Sequence, residues 1–516
     1  MNKTLEIIGF ENVRQDLAKE AKTLQAKEQI LNLKMYEVQE ELEEQLMDTS
    51  SARKMLDTTG PIPLPSIEEI IEILEMLKSG ILVEPTHIQR IGDFFKSSRQ
   101  LKEYLKKNSS DDLDCYMNKI VYPDIVYENI DRSIRSGEII DEATNKLLKL
   151  RSKLKKMKPE LRITTQQILD SNMKYMSENF VVNRDGHWCV PLKKEFQNKV
   201  PGTAMGRSSS GSTVFIEPAR TTKLQETYFQ TKLDMYQEEA AIISALSEDI
   251  LIYDEQIRAS IKCIIKLDFI FAKGKLSQKQ NASCPTIMDE RVISIHQGRH
   301  PSLNSETCVP LDFEIGGETQ GIVVTGPNTG GKTVSIKTVA IITTMANMGL
   351  HVPAKSASVG FNLRVLCDIG DGQSIENNLS TFSAHITNVI DILENMDEKT
   401  LVVMDELGSG TDPEEGMGIA IAILEELRVR NNLFLVTTHY PAVKEYAYKH
   451  EEVMNARMAF DRENLQPKYM LELGKDGQSS ALYIAKRLGV SKRMLRIAAQ
   501  EAYGEIPREI EKELEL

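Results

Sequence analysis

The residues best suited to chemistry lie in one stretch, Gly326-Pro-Asn-Thr-Gly-Gly-Lys-Thr333. Gly326, Gly330 and Gly331 let the backbone take positive φ and carry its N–H groups close to phosphate oxygens. Lys332 supplies a full charge to the β- and γ-phosphates of a nucleoside triphosphate, and the Thr333 hydroxyl can ligate Mg²⁺. Pro327, Asn328 and Thr329 fill the turn, and Val334 follows it. The flanks supply the context such a loop requires. Ile322-Val-Val324 reads as a buried strand, and Val334 to Ile342 as a helix whose N-terminus carries partial positive charge. Strand, glycine turn and helix make the G-x-x-x-x-G-K-[ST] pattern a phosphate loop rather than a bare turn.

A further apolar strand, Thr400-Leu-Val-Val-Met-Asp-Glu406, ends in two carboxylates and places Asp405 72 residues after Thr333. Asp405 can hold the Mg²⁺ that Thr333 ligates, while Glu406 points elsewhere and can polarise a water in line with the γ-phosphate. Leu433-Phe-Leu-Val-Thr-Thr-His439 is a third strand, and His439 stands where a γ-phosphate sensor would. Gln373, in Asp368-Ile-Gly-Asp-Gly-Gln-Ser374, is a further candidate for linking nucleotide to the rest of the protein. In Leu379-Ser-Thr-Phe-Ser-Ala-His385, Ser380 or Thr381 reads as a helix N-cap, and a hydroxyl-rich helix opening is a second phosphate site. If that helix lies on the far side of the phosphates, one domain cannot enclose them. The economical arrangement is a homodimer in which Ser380 and Thr381 of each copy touch, in trans, the γ-phosphate held by the other.

Around this machinery, 516 residues allow two to four domains. Six scattered cysteines without a C-x-x-C pair argue against a disulfide framework and a zinc site. The opening residues show no apolar leader, and no apolar run approaches eighteen residues. The expectation is a cytoplasmic protein with no membrane span. A net charge of −13 argues mildly against nucleic acid, yet Lys146 to Arg162 holds eight Lys and Arg against one acid, Glu160. A local patch matters more than the total for phosphate-backbone contact.

The first 130 residues are polar and read as helices. Leu31, Met35, Val38, Leu42 and Leu46 follow one helical stripe, and Ser66-Ile-Glu-Glu69 has the look of a capping box. A long helix is expected from about Ile130 to Lys158, stopped by Pro159, with another over 161–178. Asn179 to Leu192 reads as a hairpin and Thr213 to Ile216 as a short strand, separated by the polar loop Arg207 to Ser212. Helix resumes from Pro218 to about Ser277. Beyond 285, strands at Val292–Ile295, Ile322–Val324, Leu401–Met404 and Leu433–Thr437 alternate with helices, an α/β nucleotide-binding domain. The acidic end from Ser491 to Leu516 reads as helical.

The loop Gly326–Thr333, Ser380-Thr-Phe382, Asp405-Glu-Leu-Gly-Ser-Gly-Thr-Asp-Pro413, Thr437-Thr-His439 and Gly298-Arg-His-Pro301 together resemble the ABC-type ATPases of the MutS family. The chain is similar to the MutS2 branch along nearly its whole length, including Lys3–Phe10 and Ser208–Pro218. The resemblance implies an α/β ABC-type P-loop ATPase domain preceded by a mostly α-helical lever with a small α+β clamp insertion. Its implied divisions are lever 1–165, clamp 166–225, returning lever helices 226–284, ATPase 285–500 and an acidic helical tail 501–516. It implies ATP and Mg²⁺ as cofactors, with Lys332, Glu406 and His439 catalytic. It also implies a homodimer that hydrolyses ATP and binds nucleic acid, either branched DNA, suppressing homologous recombination, or stalled ribosomes and their rRNA. Lys193, Lys194, Lys199 and Arg207 in the clamp are the expected phosphate-backbone contacts. Phe215-Ile-Glu217 spells the mismatch-reading Phe-x-Glu motif but falls in the clamp, and is read as coincidence. MutS2 proteins usually continue into an Smr nuclease domain. This chain ends at Leu516, so no nuclease is expected in it. An SMC/Rad50-like structural ATPase would need a long coiled coil between the phosphate loop and Asp405 and an L-S-G-G signature, and neither is present.

Overall fold

The structure, a computed structural model, describes residues 2–107, 111–326, 330–370, 381–461, 464, 466–475, 481–504 and 506–514. The chain divides into two compact units, one of Met1–Ile62, Asn108–Cys115 and Ile265–Leu516, the other of Pro63–Lys107 and Tyr116–Ile264. Among the described residues no helix is long and apolar enough to cross a membrane.

The chain opens with α1 (Asn2–Ile7), α2 (Phe10–Glu20), α3 (Leu24–Leu31) and α4 (Gln39–Thr59). The single stripe expected over Leu31–Leu46 is therefore split. Residues 32–38 leave the helix, and the Tyr36 N–H donates to the Asn347 carbonyl at 3.2 Å, a tertiary bond that local periodicity does not reveal. The expected capping box at Ser66 is also absent. Helix α5 (Ile70–Lys78) starts from Glu69 at φ +64°, and Ser66 bonds the Glu68 side chain instead of a helix N–H.

Next come α6 (Pro85–Lys107), α7 (Asp111–Met117), α8 (Asp124–Asp131) and a two-residue ribbon of β1 (Ile134–Arg135) and β2 (Glu138–Ile139). The ribbon interrupts the helix expected from Ile130. Helix α9 (Asn145–Ser171) begins only after Thr144, whose Oγ1 accepts the Leu147 N–H at 3.0 Å. It does not stop at Pro159. An internal proline costs about 3 kcal/mol, and the burial of Met157, Leu161, Thr165 and Leu169 on either side offsets it. Helix α9 leads into a four-stranded antiparallel sheet of β3 (Val182–Arg184), β4 (His187–Lys193), β5 (Gly202–Arg207) and β6 (Thr213–Pro218), in the order β3-β4-β6-β5. The hairpin is as expected, while β5 is an added, mostly exposed edge strand. Helix α10 (Ala219–Leu251) follows, and a break at Ile252–Tyr253 separates it from α11 (Asp254–Lys279).

The remaining chain builds two sheets. Strands β7 (Thr286–Met288), β8 (Ile293–Gly298), β9 (Leu311–Ile315) and β11 (Ser356–Gly360) form one, in the order β7-β11-β8-β9. The other has the order β12-β13-β14-β10-β15-β16 and contains β10 (Gly321–Thr325), β12 (Arg364–Asp368), β13 (Thr400–Met404), β14 (Leu433–Thr437), β15 (Val453–Asp461) and β16 (Gln466–Leu473). All neighbours pair in parallel except β15 and β16. Both faces are covered, which is why β10, β13 and β14 are continuous apolar runs. Helix α12 (Lys332–Asn347) packs on one face with Ile322 and Val324. Helices α13 (Thr381–Asn395), α14 (Pro413–Val429) and α15 (Pro441–Lys449) pack on the other with Val323. Gly321 must lack a side chain, since a Cβ there would meet the Phe434 ring of β14 at 2.0 Å. Helices α16 (Ala481–Arg487), α17 (Lys492–Tyr503) and α18 (Arg508–Leu514) end the chain.

Candidate nucleotide site

The ends of β10, β13 and β14 converge, as ligands in open α/β sheets bind at the carboxyl ends of strands. Ile322, Val323 and Val324 are fully buried, each contributing roughly 1.5–3 kcal/mol, so the loop leaves a rigid edge. Gly331 caps α12 at φ +92°, and a Cβ there would press on the Tyr469 ring at 3.2 Å. Lys332 and Thr333 form the first turn of α12. Pro327, Asn328 and Thr329 lie outside the described residues.

Lys332 is only 1% exposed. Its Nζ donates to the Gly326 carbonyl at 2.9 Å and to His439 Nε2 at 3.0 Å. Burial, with the charge of Lys444 acting the same way and Asp405 and Glu406 opposing, lowers the Lys332 ammonium to about 8. Burial and the Lys332 charge push His439 below its ordinary value, which suits a neutral ring accepting from the lysine. The pair is a cation held ready, with bonds that a phosphate oxygen can take over.

Thr333 Oγ1 donates to Asp405 Oδ2 at 2.6 Å, and Thr437 Oγ1 donates to Asp405 Oδ1. The same Thr437 oxygen accepts the Glu406 N–H at 2.8 Å. Thr437 is the residue that sequence reasoning missed. It lay in the quoted T-T-H triplet, but only the register of β14 between β10 and β13 gives it a task. Glu406 sits at φ +49°, a left-handed conformation costing of order 1–3 kcal/mol and found most often where function demands it. Asp412 then caps α14, accepting from Glu414 and Glu415.

Hydroxyl and carboxylate oxygens are the hard donors Mg²⁺ takes, and the ion normally completes its shell with substrate phosphates and water. Thr333 and Asp405 fit that demand. Beside the loop lies a cavity of about 250 Å³ lined by His300, Leu303, Val309, Gly331, Val334 and Tyr469 among others, which the sequence did not disclose.

The structure thus brings together Gly326, Gly331, Lys332, Thr333, Asp405, Glu406 and His439, with Gly330 buried in the loop and Val334 facing the cavity. Gln373 and Ser380 lie outside the described residues. Thr381 opens α13, and its side chain is likewise outside them. Lys193, Lys194, Lys199 and Arg207 belong to the other unit. All four are exposed, and pairing of Lys193 with Thr213 and of Arg207 with Val214 sets Lys193 and Arg207 at one end of their sheet. There the Ser208, Ser210 and Ser212 hydroxyls bond one another at 3.2 and 2.7 Å. Phe215 and Glu217 are 5% and 6% exposed, the former under Arg184 and the latter bonded to His187, so neither is presented to a ligand.

Comparison with known proteins covers the same part of the chain. The family model described as MutS domain V matches residues 322–505, from the phosphate-loop strand through α17. Over these residues the chain is similar to the MutS family. The chain is 36% identical over 504 residues to Endonuclease MutS2 of Clostridium beijerinckii, covering 96% of this chain and 64% of that protein. Endonuclease MutS2 of Clostridium kluyveri is 36% identical over 509 residues, 98% and 65% of the respective chains. Endonuclease MutS2 of Clostridium acetobutylicum is 37% identical over 498 residues, 95% and 63%. The chain therefore spans somewhat less than two thirds of the length of these curated relatives.

Proposed function

We propose that this chain is an ATP-hydrolysing, homodimeric clamp of the MutS2 type that closes on branched DNA and so restrains homologous recombination. The observation that carries the reading is the bonded set Lys332–His439 and Thr333–Asp405–Thr437, a cation and a cation-binding pair fixed side by side. Lys332 exchanges its Gly326 and His439 partners for β- and γ-phosphate oxygens. Thr333 and Asp405 hold Mg²⁺, which offsets phosphate charge when bound. Glu406 orients the attacking water and accepts its proton, and His439, released by Lys332, reports on the γ-phosphate. Ser380 and Thr381 of the second copy complete each site, with Gln373 relaying its state.

Residues 1–165 and 226–284 act as the lever, 166–225 as the clamp, 285–500 as the ATPase and 501–516 as a tail. Two observations support a nucleic-acid target. Lys193, Lys194, Lys199 and Arg207 are exposed, and so are Lys149, Lys153, Lys155, Lys156 and Lys158 along α9. Among the described residues, the acids of α10 form ion pairs with Lys146 and Arg151 of that helix, through Glu238 and Glu239. Pull-down from cells with a Glu406→Gln trap tests the target. Branched DNA is the expected enrichment, and enrichment of ribosomal RNA over DNA would replace recombination by ribosome rescue.

A further inference from the structure

Asp368, the last residue of β12, is 5% exposed and does no chemistry assigned above. Both of its carboxylate oxygens are nevertheless committed to one helix. His385 Nδ1 meets Oδ2 at 2.7 Å, and Asn388 Nδ2 donates to Oδ1 at 3.0 Å. His385 and Asn388 stand three residues apart on α13, one turn in from Thr381, and so share a face. The Asp368 backbone carbonyl meanwhile accepts the Asp405 N–H at 2.9 Å. One residue thereby ties α13 to the carboxylate that Thr333 and Thr437 hold. Asn388 also accepts from Lys3 of α1, so its amide is fixed at both ends. The Asp368 bond holds His385 above its ordinary value, with Asp368, Glu406 and Asp405 all favouring the imidazolium over the opposing effect of burial.

We infer that His385 and Asn388 are positioning residues that couple α13 to the acid strand through Asp368. The inference rests on the ATPase reading above and deepens it. A change in what Asp405 binds shifts its backbone N–H, hence the end of β12, hence the pitch of α13. A helix held by two side-chain bonds to one buried carboxylate follows that carboxylate as a rigid body. Neither residue touches nucleotide in this scheme, so both act on turnover and not on nucleotide affinity.

The test uses the full chain with His385→Ala, His385→Gln and Asn388→Ala, measuring turnover, nucleotide Kd and amide exchange across 386–394 with and without Mg²⁺ and ATP. His385→Ala should lower kcat about tenfold while Kd stays within about twofold, and His385→Gln, which keeps an N–H donor, should recover at least half of the loss. Nucleotide-dependent exchange in α13 should be present in the parent chain, lost in His385→Ala and restored in His385→Gln. Unchanged kcat, or a parallel loss of kcat and affinity that His385→Gln does not repair, overturns the inference. If His385→Ala does not fold, His385→Gln and Asn388→Ala decide it by the same split. A parent chain that binds ATP without turnover would sink the hydrolysis reading alone. The exchange measurement then decides the coupling, which fails if α13 ignores nucleotide or if His385→Ala responds as the parent does.

Discussion

The six-stranded sheet of β10 and β12–β16 and the four-stranded sheet of β3–β6 both gather hydroxyls and cations at strand ends, and they treat them in opposite ways. At the end of β10 the lysine is 1% exposed and doubly bonded, the threonine is tied to a carboxylate, and the carboxylate to a second threonine. At the ends of β4 and β5 the cations Lys193, Lys194 and Arg207 stand in solvent, and the serines bond one another. The difference is the one the proposed ligands would require. A small ligand with concentrated charge is held by a few desolvated, charge-assisted bonds of about 1.5–3 kcal/mol each. A polyanion is met by many exposed charges, individually worth about 0–1 kcal/mol and screened beyond about 10 Å at ordinary salt.

Four measurements break or sharpen this contrast. Glu406→Gln should have the largest effect, lowering kcat by about 10²–10⁴ with nucleotide affinity preserved. Single-turnover kinetics beside equilibrium titration check it, and turnover at the parent rate would remove Glu406 from the chemistry. Lys332→Ala should weaken ATP binding by about two orders of magnitude, since it deletes a buried charge from the phosphate site. Calorimetric titration reads this, and an unaltered Kd would show the pocket to be no phosphate site.

The opposite sheet should respond in a different currency. Replacing Lys193, Lys194, Lys199 and Arg207 together by Ala should weaken binding to branched DNA by roughly tenfold at low salt and flatten the slope of log K against log salt by up to about 0.9 per residue. ATP affinity should not move. A salt slope equal to that of the parent would mean that these cations only keep the protein in solution.

The smallest effect is on pH. Phosphate needs the charged lysine, and the free Lys332 titrates at about 8. ATP affinity should therefore be flat with respect to this group below pH 8 and fall as pH rises through 8, by at most about tenfold per unit. A comparable lysine left in solvent would hold its charge to above pH 10. Affinity constant from pH 7 to 9.5 would contradict the burial of Lys332.

Much of the nucleotide site was legible in the sequence because its parts are local. A phosphate loop needs its glycines, lysine and threonine in one short run, and the apolar strands of a sheet buried on both faces announce themselves as continuous runs ending in Asp405 and His439. Errors came where a distant partner overrides a local rule. Pro159 lies inside α9 because buried neighbours on either side keep the helix intact. Residues 32–38 leave the helix where Tyr36 bonds the Asn347 carbonyl. Strand β5 lacked an apolar signature because it is an edge strand that buries almost nothing.

The sequence by itself determined which groups are available and on which element each is carried. It named Lys332, Thr333, Asp405, Glu406 and His439, and it marked the basic stretch from Lys146 to Arg162. Tertiary structure alone decided how they are joined. Strand order puts β14 between β10 and β13, which makes Thr437 the bridge to Asp405 and sets His439 against Lys332. It also brings Asp368 under His385 and Asn388. Spacing along a chain specifies what a strand or helix presents, but pairing across a sheet depends on which strands become neighbours, and that is settled by the packing of the whole unit.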